Sequence, residues 1–220
     1  MPKHTPIYED SHLLAINKPR GLLTVANKSN KQNLLDQLKP AYTEQNTRLR
    51  PINRLDQGTS GIVFFAKTKE CFEQAVGKHL FSSPETKKTY LAVIIGIPNP
   101  PSGSITRPLP SRRDSRHTLK AETRYKTLKT YNIKGKKIAL VEAQISSGRF
   151  HQIRRHFTKI RNPLLMDRDY MDRQDYKHWQ GLVSFRHYFL HAHTITFKHF
   201  VTGEQLTIEA PIPDLPPELK

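Results

Sequence analysis

The sequence predicts an α+β fold with a mixed, mostly antiparallel β-sheet and few flanking helices. Short apolar runs typical of strands outnumber the amphipathic repeats typical of helices, and turn-rich segments of hairpin length join most of these runs. The sequence contains no internal repeat, and it has no linker that would separate two cores. The chain has 220 residues, enough to bury a substantial core. We therefore expect one domain over residues 1–220.

The first half of the chain alternates between predicted strands and helices. "HLLAINKPRGLLTV" (12–25) predicts a short strand, a turn and a second extended segment, and a weak helix follows around Leu34–Leu38. "GIVFFAK", after a glycine-containing turn, is typical of a buried strand. Apolar side chains spaced by three and four residues predict an amphipathic helix from Lys69 to Phe81. "KKTYLAVIIG" predicts another buried strand, which ends at Gly96.

The second half begins with a loop and continues as two hairpins on either side of a helix. Early prolines in residues 97–120 and the stretch "SRRDSRHTLK" predict an unpacked segment with a basic loop at about 107–120. "ETRYKTLKTY" and "KKIALVEAQIS" alternate as the strands of a hairpin. "GRFHQIRRHFTKI" predicts a helix with Arg154 at the edge of its buried stripe, and "FLHAHTITFKH" with "QLTIEAP" predicts a final hairpin.

Net charge is the strongest signal in the composition. Lys and Arg total 36 against 19 Asp and Glu, which gives a formal charge of +17. Such an excess is typical of proteins that bind a polyanion, because phosphate contacts release condensed counterions. Nucleic acid is therefore the predicted partner, and a basic surface that only confers solubility is the alternative.

Cysteine usage and hydropathy indicate a cytoplasmic protein. The one cysteine, Cys71, excludes an intrachain disulfide and a cysteine-based zinc site, as is usual in a reducing compartment. No apolar stretch approaches the roughly 20 residues that a membrane-spanning helix needs. The N-terminal segment has no apolar core of a signal peptide. We expect a cytoplasmic location and no membrane partner.

Asp56 is the first candidate for chemistry. It lies in "RLDQGTSG", between Arg54 and a turn of small residues, directly before an apolar run. Small residues let backbone or ligand approach closely, and a carboxylate at the mouth of a buried strand is held rigidly, as a nucleophile or general base requires. An aspartate that caps the turn and pairs with Arg54 is an equally open interpretation.

Two further segments carry candidate residues. "SSGRFHQIRRHF" contains Arg149 beside a glycine at a predicted helix start, where a cation is unfavourable unless an anion is near. Arg154 is costly to desolvate unless it is paired, and Asp56 is one of few acids available. A solvated basic helix face is the alternative interpretation of this segment. Tyr90, in the strand "KKTYLAV", faces either a cleft or the core, and packing is the commoner role of a strand tyrosine.

Six segments of the chain occur in the order of the motifs of one known family. "NRLDQGTSG" resembles H-R-L-D-x-x-T-S-G, "KKTYLAVIIG" resembles K-x-Y-x-A-x-V-x-G, and "SGRFHQIRRHF" resembles T-G-R-x-H-Q-[IL]-R-x-H. "LLAINKPRGLLTV", "NPLLMDRDY" and "FLHAHTITFKH" match three further motifs, and together they cover roughly residues 7–210. The chain thus resembles the RluA family of RNA pseudouridine synthases, in the branch without an S4 domain that is similar to tRNA pseudouridine synthase C.

This resemblance implies a cofactor-free isomerase that converts a uridine of tRNA or 23S rRNA to pseudouridine in an RNA-binding cleft across the sheet. It implies Asp56 as the catalytic aspartate, Tyr90 as the ring that stacks on the uracil or acts as base, and Arg154 as the ion-pair partner of Asp56. Arg54 would help to displace the target base, and Ile153 would line the pocket. The other implied substrate-binding residues are Arg149, His151, Gln152 and Leu190.

The resemblance also bears on how RNA is held. Since there is no room for an N-terminal S4-type domain, we expect the catalytic domain to bind RNA by itself, as a monomer. The candidate phosphate contacts are Lys18, Arg20, Arg112, Arg113, Arg116 and Lys120. Asn53 stands where the family has the histidine before Arg-Leu-Asp, which predicts altered substrate contacts before lost catalysis.

Two other hypotheses fit parts of the sequence. An inactive RNA-binding or RNA-folding protein on the same scaffold would be favoured by a change at Asp56, Tyr90 or Arg154, and all three are intact. A metalloenzyme built on "HAH" at 191–193 is the weaker hypothesis, because no carboxylate ligands are arranged around it. We therefore expect no metal.

Overall fold

The structure is a computed structural model and describes residues 4–26, 32–111, 114 and 116–219. The chain divides into two compact units, the first covering Met1–Lys88 and Ala192–Pro211, the second Thr89–His191 and Ile212–Lys220. The predicted α+β class with a mostly antiparallel sheet and few helices is confirmed. The expectation of one domain over residues 1–220 stays a prediction.

The described part of the chain forms twelve strands and four α-helices. The strands are β1 (Pro6–Glu9), β2 (Leu13–Lys18), β3 (Arg50–Pro51), β4 (Ser60–Ala66), β5 (Lys87–Ile95), β6 (Ser102–Ile105), β7 (Leu109–Pro110), β8 (Thr118–Leu119), β9 (Thr123–Ile133), β10 (Lys136–Ile145), β11 (Leu190–Lys198) and β12 (Gln205–Glu209). The α-helices are α1 (Leu34–Thr43), α2 (Lys69–Phe72), α3 (Gln152–Lys159) and α4 (Arg173–Gln180).

In the first unit, β2 and β4 form an antiparallel pair that is buried on both faces. Phe64 of β4 packs in one apolar cluster with Phe197 of β11, whereas its neighbour Phe65 packs in another with Leu34 of α1. A strand covered on both sides needs apolar residues at successive positions, which is why the run "IVFFA" is continuous instead of alternating. The register places Lys18, the last residue of β2, opposite Gly61.

In the second unit, β9 and β10 form the predicted hairpin, and β6 pairs with the start of β9. Val93 of β5 packs with Trp179 of α4 in the main apolar cluster. Helix α3 packs against β9, where the Phe157 and Tyr125 rings meet edge to face with centroids 5.7 Å apart. This packing fixes the start of α3 relative to the strands of the same unit.

Three predictions of local structure are wrong in part. The single helix predicted from Lys69 to Phe81 is instead α2, a π-helical turn at Glu73–Gly77 and a 3-10 turn at Leu80–Ser82. His79 takes a left-handed conformation, which separates the 3-10 turn from the helical residues before it. The second extended segment after the Lys-Pro-Arg-Gly turn forms only an isolated bridge at Leu23. Residues 97–120 are not simply a loop, since β6, β7 and β8 form there and bury Leu109.

Candidate active site

Hydrogen bonds from alternate residues, Asn53, Leu55 and Gln57, hold the loop that carries Asp56. The Asn53 amide accepts from the backbone N–H of Phe64, at 2.7 Å, and donates to the carbonyl of Ile62. The Leu55 N–H donates to Thr24 Oγ1, at 3.2 Å. Gln57 exchanges two bonds with the backbone of Gly21, at 2.7 and 2.9 Å. The backbone at half-buried Asp56 is therefore held from both sides.

Gly61 at the start of β4 and Asn53 of this loop explain motif positions in structural terms. Gly61 has φ of +109° and a Cβ there would collide with the backbone of Ala192, so only glycine lets β4 and β11 approach this closely. Asn53, in place of the family's histidine, uses both ends of its amide to hold the loop against β4. That amide serves the protein backbone, which gives the substitution a structural reason.

Lys18 lies beside Asp56 and is fully buried. Its ammonium donates to the carbonyls of Pro19, at 3.0 Å, and Leu22, at 2.8 Å. Burial lowers the pKa of Lys18 to about 8, although the negative charge of Asp56 acts in the opposite direction. A fully buried ammonium is not presented to an RNA backbone, and this burial argues against the phosphate contact predicted for Lys18.

Arg154 of α3 is buried in the second unit and forms an ion pair with two carboxylates. Its Nε and Nη2 donate to the two oxygens of Asp167, both at 2.7 Å, and Nη2 also donates to Asp169 at 2.6 Å. Burial disfavours the charged form, but the hydrogen bonds and charge of Asp167 outweigh it and raise the pKa of Arg154. The prediction that this arginine needs a paired acid is thus met within its own unit by Asp167, while the predicted pairing with Asp56 stays a prediction.

Aromatic side chains surround the Arg154 guanidinium. Its central carbon lies 4.8 Å from the ring centre of Tyr170 and 4.5 Å from that of Tyr188. His151 precedes α3 in a left-handed conformation, with φ of 52°, and its Nδ1 lies 2.9 Å from the Tyr170 hydroxyl. Arg154 Nη1 lies 3.1 Å from the same His151 nitrogen. The charged group is therefore fixed by both ion pairing and cation–π contacts.

The other residues predicted at the start of α3 have contrasting environments. Gln152 is buried, and its amide accepts from Ser147 Oγ at 2.8 Å and donates to the Glu122 carbonyl at 2.8 Å. Ile153 is buried as well, whereas Arg149 is exposed. Arg149 was predicted at the helix start, but it precedes the first residue of α3 by three positions. Gln152 thus joins the turn before α3 to the start of β9.

The remaining predicted site residues are placed as follows. Tyr90 on β5 and Leu190 on β11 are buried, whereas Arg54 is exposed in the loop before Asp56. Among the predicted backbone contacts, Arg20 is half-buried and Lys120 is exposed. Arg116 is exposed and pairs with Asp114, with Nε 3.1 Å from Oδ1. Arg112 and Arg113 lie outside the described residues.

The structure adds three residues that the sequence did not single out individually. Asp167 and Tyr170 lie in the segment "NPLLMDRDY", which was recognised only as a motif match. Both residues contact Arg154, because the chain after α3 turns back and brings them against this helix. Tyr188 carries no signal in the sequence, since nothing in its neighbourhood distinguishes it from a core tyrosine.

The described residues were expected to hold no metal site and no membrane-spanning helix. No described group of three or more His, Cys, Asp and Glu side chains is arranged to hold a metal ion. No described helix combines the length and the apolar character that crossing a bilayer demands.

Sequence comparison relates the chain to enzymes that modify RNA. The model of the family described as RNA pseudouridylate synthase matches residues 12–159. The dual-specificity RNA pseudouridine synthase RluA of Haemophilus influenzae is 31% identical over 93% of this chain and 91% of that protein. The ribosomal large subunit pseudouridine synthase C of Vibrio parahaemolyticus is 31% identical over 96% of this chain, which spans 66% of that protein.

Solved structures show the same fold. Human RNA pseudouridylate synthase domain containing 4 superposes with a TM-score of 0.75 and 24% identity, covering 94% of this chain and 88% of that one. Human RNA pseudouridylate synthase domain containing 1 superposes with a TM-score of 0.76 and 19% identity, covering 97% and 85%. At these identities, the likeness establishes the fold alone.

Proposed function

The chain belongs to the RluA family of RNA pseudouridine synthases, and we propose that it isomerises a specific uridine of tRNA or 23S rRNA, with Asp56 as the catalytic carboxylate. Membership makes it an isomerase that acts on RNA. The observation that supports Asp56 is its rigid loop, in which Asn53, Leu55 and Gln57 are each anchored. A reacting carboxylate needs such immobility.

The reaction rearranges bonds within one nucleotide. The N1–C1′ glycosidic bond breaks, the uracil turns, a C5–C1′ bond forms, C5 loses a proton and N1 gains one. Atoms and electrons balance within the isomerisation, so a carboxylate and a proton relay suffice. In our proposal, Asp56 attacks the sugar or the base or assists elimination, and Tyr90 stacks on the uracil or relays the proton.

The remaining predicted residues receive roles consistent with their surroundings. In our proposal, Arg154 takes part in the reaction as the resemblance implies, and its ion pair with Asp167 fixes its own orientation. Gln152 acts as a positioning residue, because its amide is occupied by protein partners. Exposed Arg54 fills the space that a flipped-out uridine leaves in the RNA, since a base inside a helix is out of reach. Ile153 and Leu190 supply apolar walls.

Chemistry and the names of the relatives support RNA as the substrate. The charge of +17 suits a phosphate backbone. The name of the Vibrio relative refers to the ribosomal large subunit, and that of the Haemophilus relative to dual specificity. We propose tRNA and 23S rRNA as the candidate substrates, and Arg20, Arg116 and Lys120 as candidate phosphate contacts. Mapping pseudouridines in RNA from cells with and without the gene would identify the target.

The proposal is tested by replacing Asp56 with asparagine, which keeps the shape but removes the charge and the nucleophile. We expect no release of tritium from RNA labelled at uridine C5, while affinity for that RNA stays within a few-fold of the wild type. Asp175→Asn, an exposed acid on α4, is the matched control and should retain full turnover. Turnover by purified Asp56→Asn would refute the assignment of the catalytic residue.

A further inference from the structure

Phe150 is a large apolar side chain on the surface beside the Arg154 cluster. Its side chain is 40% exposed and it immediately precedes His151 and α3. "SGRFHQIRRHF" resembles the motif T-G-R-x-H-Q-[IL]-R-x-H, and Phe150 occupies its first unspecified position, between Arg and His. The reaction of the family therefore does not require an aromatic ring at position 150, and the exposed ring of Phe150 has another role.

The ring of Phe150 is held in a fixed orientation. It stacks on His151 with centroids 3.7 Å apart and planes inclined by 23°. His151 is itself fixed, because its backbone is left-handed and its Nδ1 contacts the Tyr170 hydroxyl at 2.9 Å. A flat ring whose orientation is already set loses little conformational entropy when another flat ring stacks on it.

Two arginines lie near Phe150: Arg149 precedes it in the chain, and Arg155 contacts its backbone carbonyl. Arg149 is exposed, and its backbone N–H is fixed by Gln152 Oε1 at 3.1 Å. Arg155 is half-buried, and its Nη1 donates to the carbonyls of Pro110, at 3.1 Å, and of Phe150, at 3.4 Å. The Arg149 guanidinium also donates through Nε to the Lys120 carbonyl, at 3.5 Å, and each arginine has further guanidinium donors for a phosphate. An aromatic ring between cations is the usual arrangement for binding unpaired nucleotides.

We propose that Phe150 is a stacking platform for an unpaired RNA base next to the target uridine, with Arg149 and Arg155 on the adjoining phosphates. This inference rests on the proposed function. His151 links the platform to Arg154, whose Nη1 lies 3.1 Å from His151 Nδ1 and which is assigned to the reacting site. The stacked base is therefore a neighbour of the uridine that reacts, and position 150 contributes to the choice of RNA.

The test compares three substitutions at Phe150 for binding and turnover of total tRNA and 23S rRNA from cells that lack the gene. Loss of one base stack predicts that Phe150→Ala raises Kd and KM by about tenfold. Phe150→Leu keeps apolar contact without a ring and should behave like alanine, whereas Phe150→Tyr should stay within about twofold. The rate at saturating RNA should not change in any of them.

Leu128 provides a matched control. It is another exposed apolar side chain of the same unit, 46% exposed on β9, and Leu128→Ala should leave Kd unchanged. Unchanged Kd in Phe150→Ala, or equal losses in alanine and tyrosine variants, would overturn the platform. So would a lower saturating rate with unchanged Kd, which would place Phe150 in the support of Arg154. These readouts are binding constants, so they stay interpretable if Asp56→Asn unexpectedly retains turnover.

Discussion

Each of the two units buries a basic side chain, and the two cations are held in opposite ways. Lys18 in the first unit is 0% exposed and Arg154 in the second is 3% exposed. The pKa of Lys18 is lowered to about 8, whereas that of Arg154 is raised. Burial disfavours the charged form of both side chains, so the opposite directions of the two pKa shifts come from the groups that each cation contacts.

The partners differ in charge and in geometry. Arg154 meets the two oxygens of Asp167 with two parallel donors, an arrangement that the planar guanidinium favours and that repays its desolvation. Lys18 donates to neutral carbonyls, and the charge of Asp56 favours its ammonium while the charge of Arg20 opposes it. The comparison teaches that burial alone does not set the protonation of a cation; a carboxylate in direct contact does.

The largest effect should follow from breaking the ion pair of Arg154. Asp167→Asn removes a buried negative charge and leaves the guanidinium dependent on Asp169, whose side chain is 65% exposed. Breaking a buried pair from one side costs about 3–5 kcal/mol, and we expect a loss of that size in the free energy of unfolding measured by urea denaturation. Turnover should fall as well, because Arg154 loses its fixed orientation.

Asp169→Asn is the control for this prediction. An ion pair with an exposed carboxylate contributes less than about 1 kcal/mol, so this variant should remain close to the wild type in stability. Equal losses in the two variants would show that the buried geometry of Asp167 is not what holds Arg154.

The sequence predicted half of the Arg154 arrangement. An arginine at the edge of a buried stripe demands a paired acid, and that physical requirement is met. The identity of Asp167 could not be predicted, because the sequence does not show which of the few acids returns to α3. The buried strands β4 and β5 were predicted because their apolar runs are continuous, whereas β6 was missed because four residues with one buried side chain leave no pattern.

The next effect concerns Lys18 and its dependence on pH. Between the folded pKa of about 8 and the ordinary value of 10.5, the unfolded chain binds more protons than the folded protein. The cost of a buried charge is therefore fully present below about pH 8 and is relieved as pH rises, so stability increases by about 3 kcal/mol across this window. Lys18→Met should lack this increase in urea denaturation at successive pH values.

The control for Lys18 is an exposed lysine of the same unit. Lys78→Met removes an exposed ammonium and, measured over the same pH range, controls for the loss of one positive charge. A wild-type advantage over Lys18→Met that stays constant or falls with pH would contradict the lowered pKa.

Lys18 also shows what a sequence conceals. It was predicted as a phosphate contact, a role that needs an exposed ammonium. Pairing of β2 with β4 places its backbone opposite Gly61, and the carbonyls of Pro19 and Leu22 then enclose the ammonium. Local patterns predict the turn, but only the pairing of strands distant in sequence determines which side of it is covered.

The smallest effect sharpens the comparison by joining it to the proposed reaction. If the charge of Asp56 supports protonated Lys18, Asp56→Asn should lower the Lys18 pKa further, by less than about one pH unit or 1.4 kcal/mol. The stability difference between Asp56→Asn and Asp56→Asn/Lys18→Met should then begin to rise at a lower pH than the difference between the wild type and Lys18→Met. Linkage works in both directions, so the same shift would measure how far Lys18 favours an ionised Asp56. An onset that stays at about pH 8 would mean that the charge of Asp56 does not support the Lys18 ammonium.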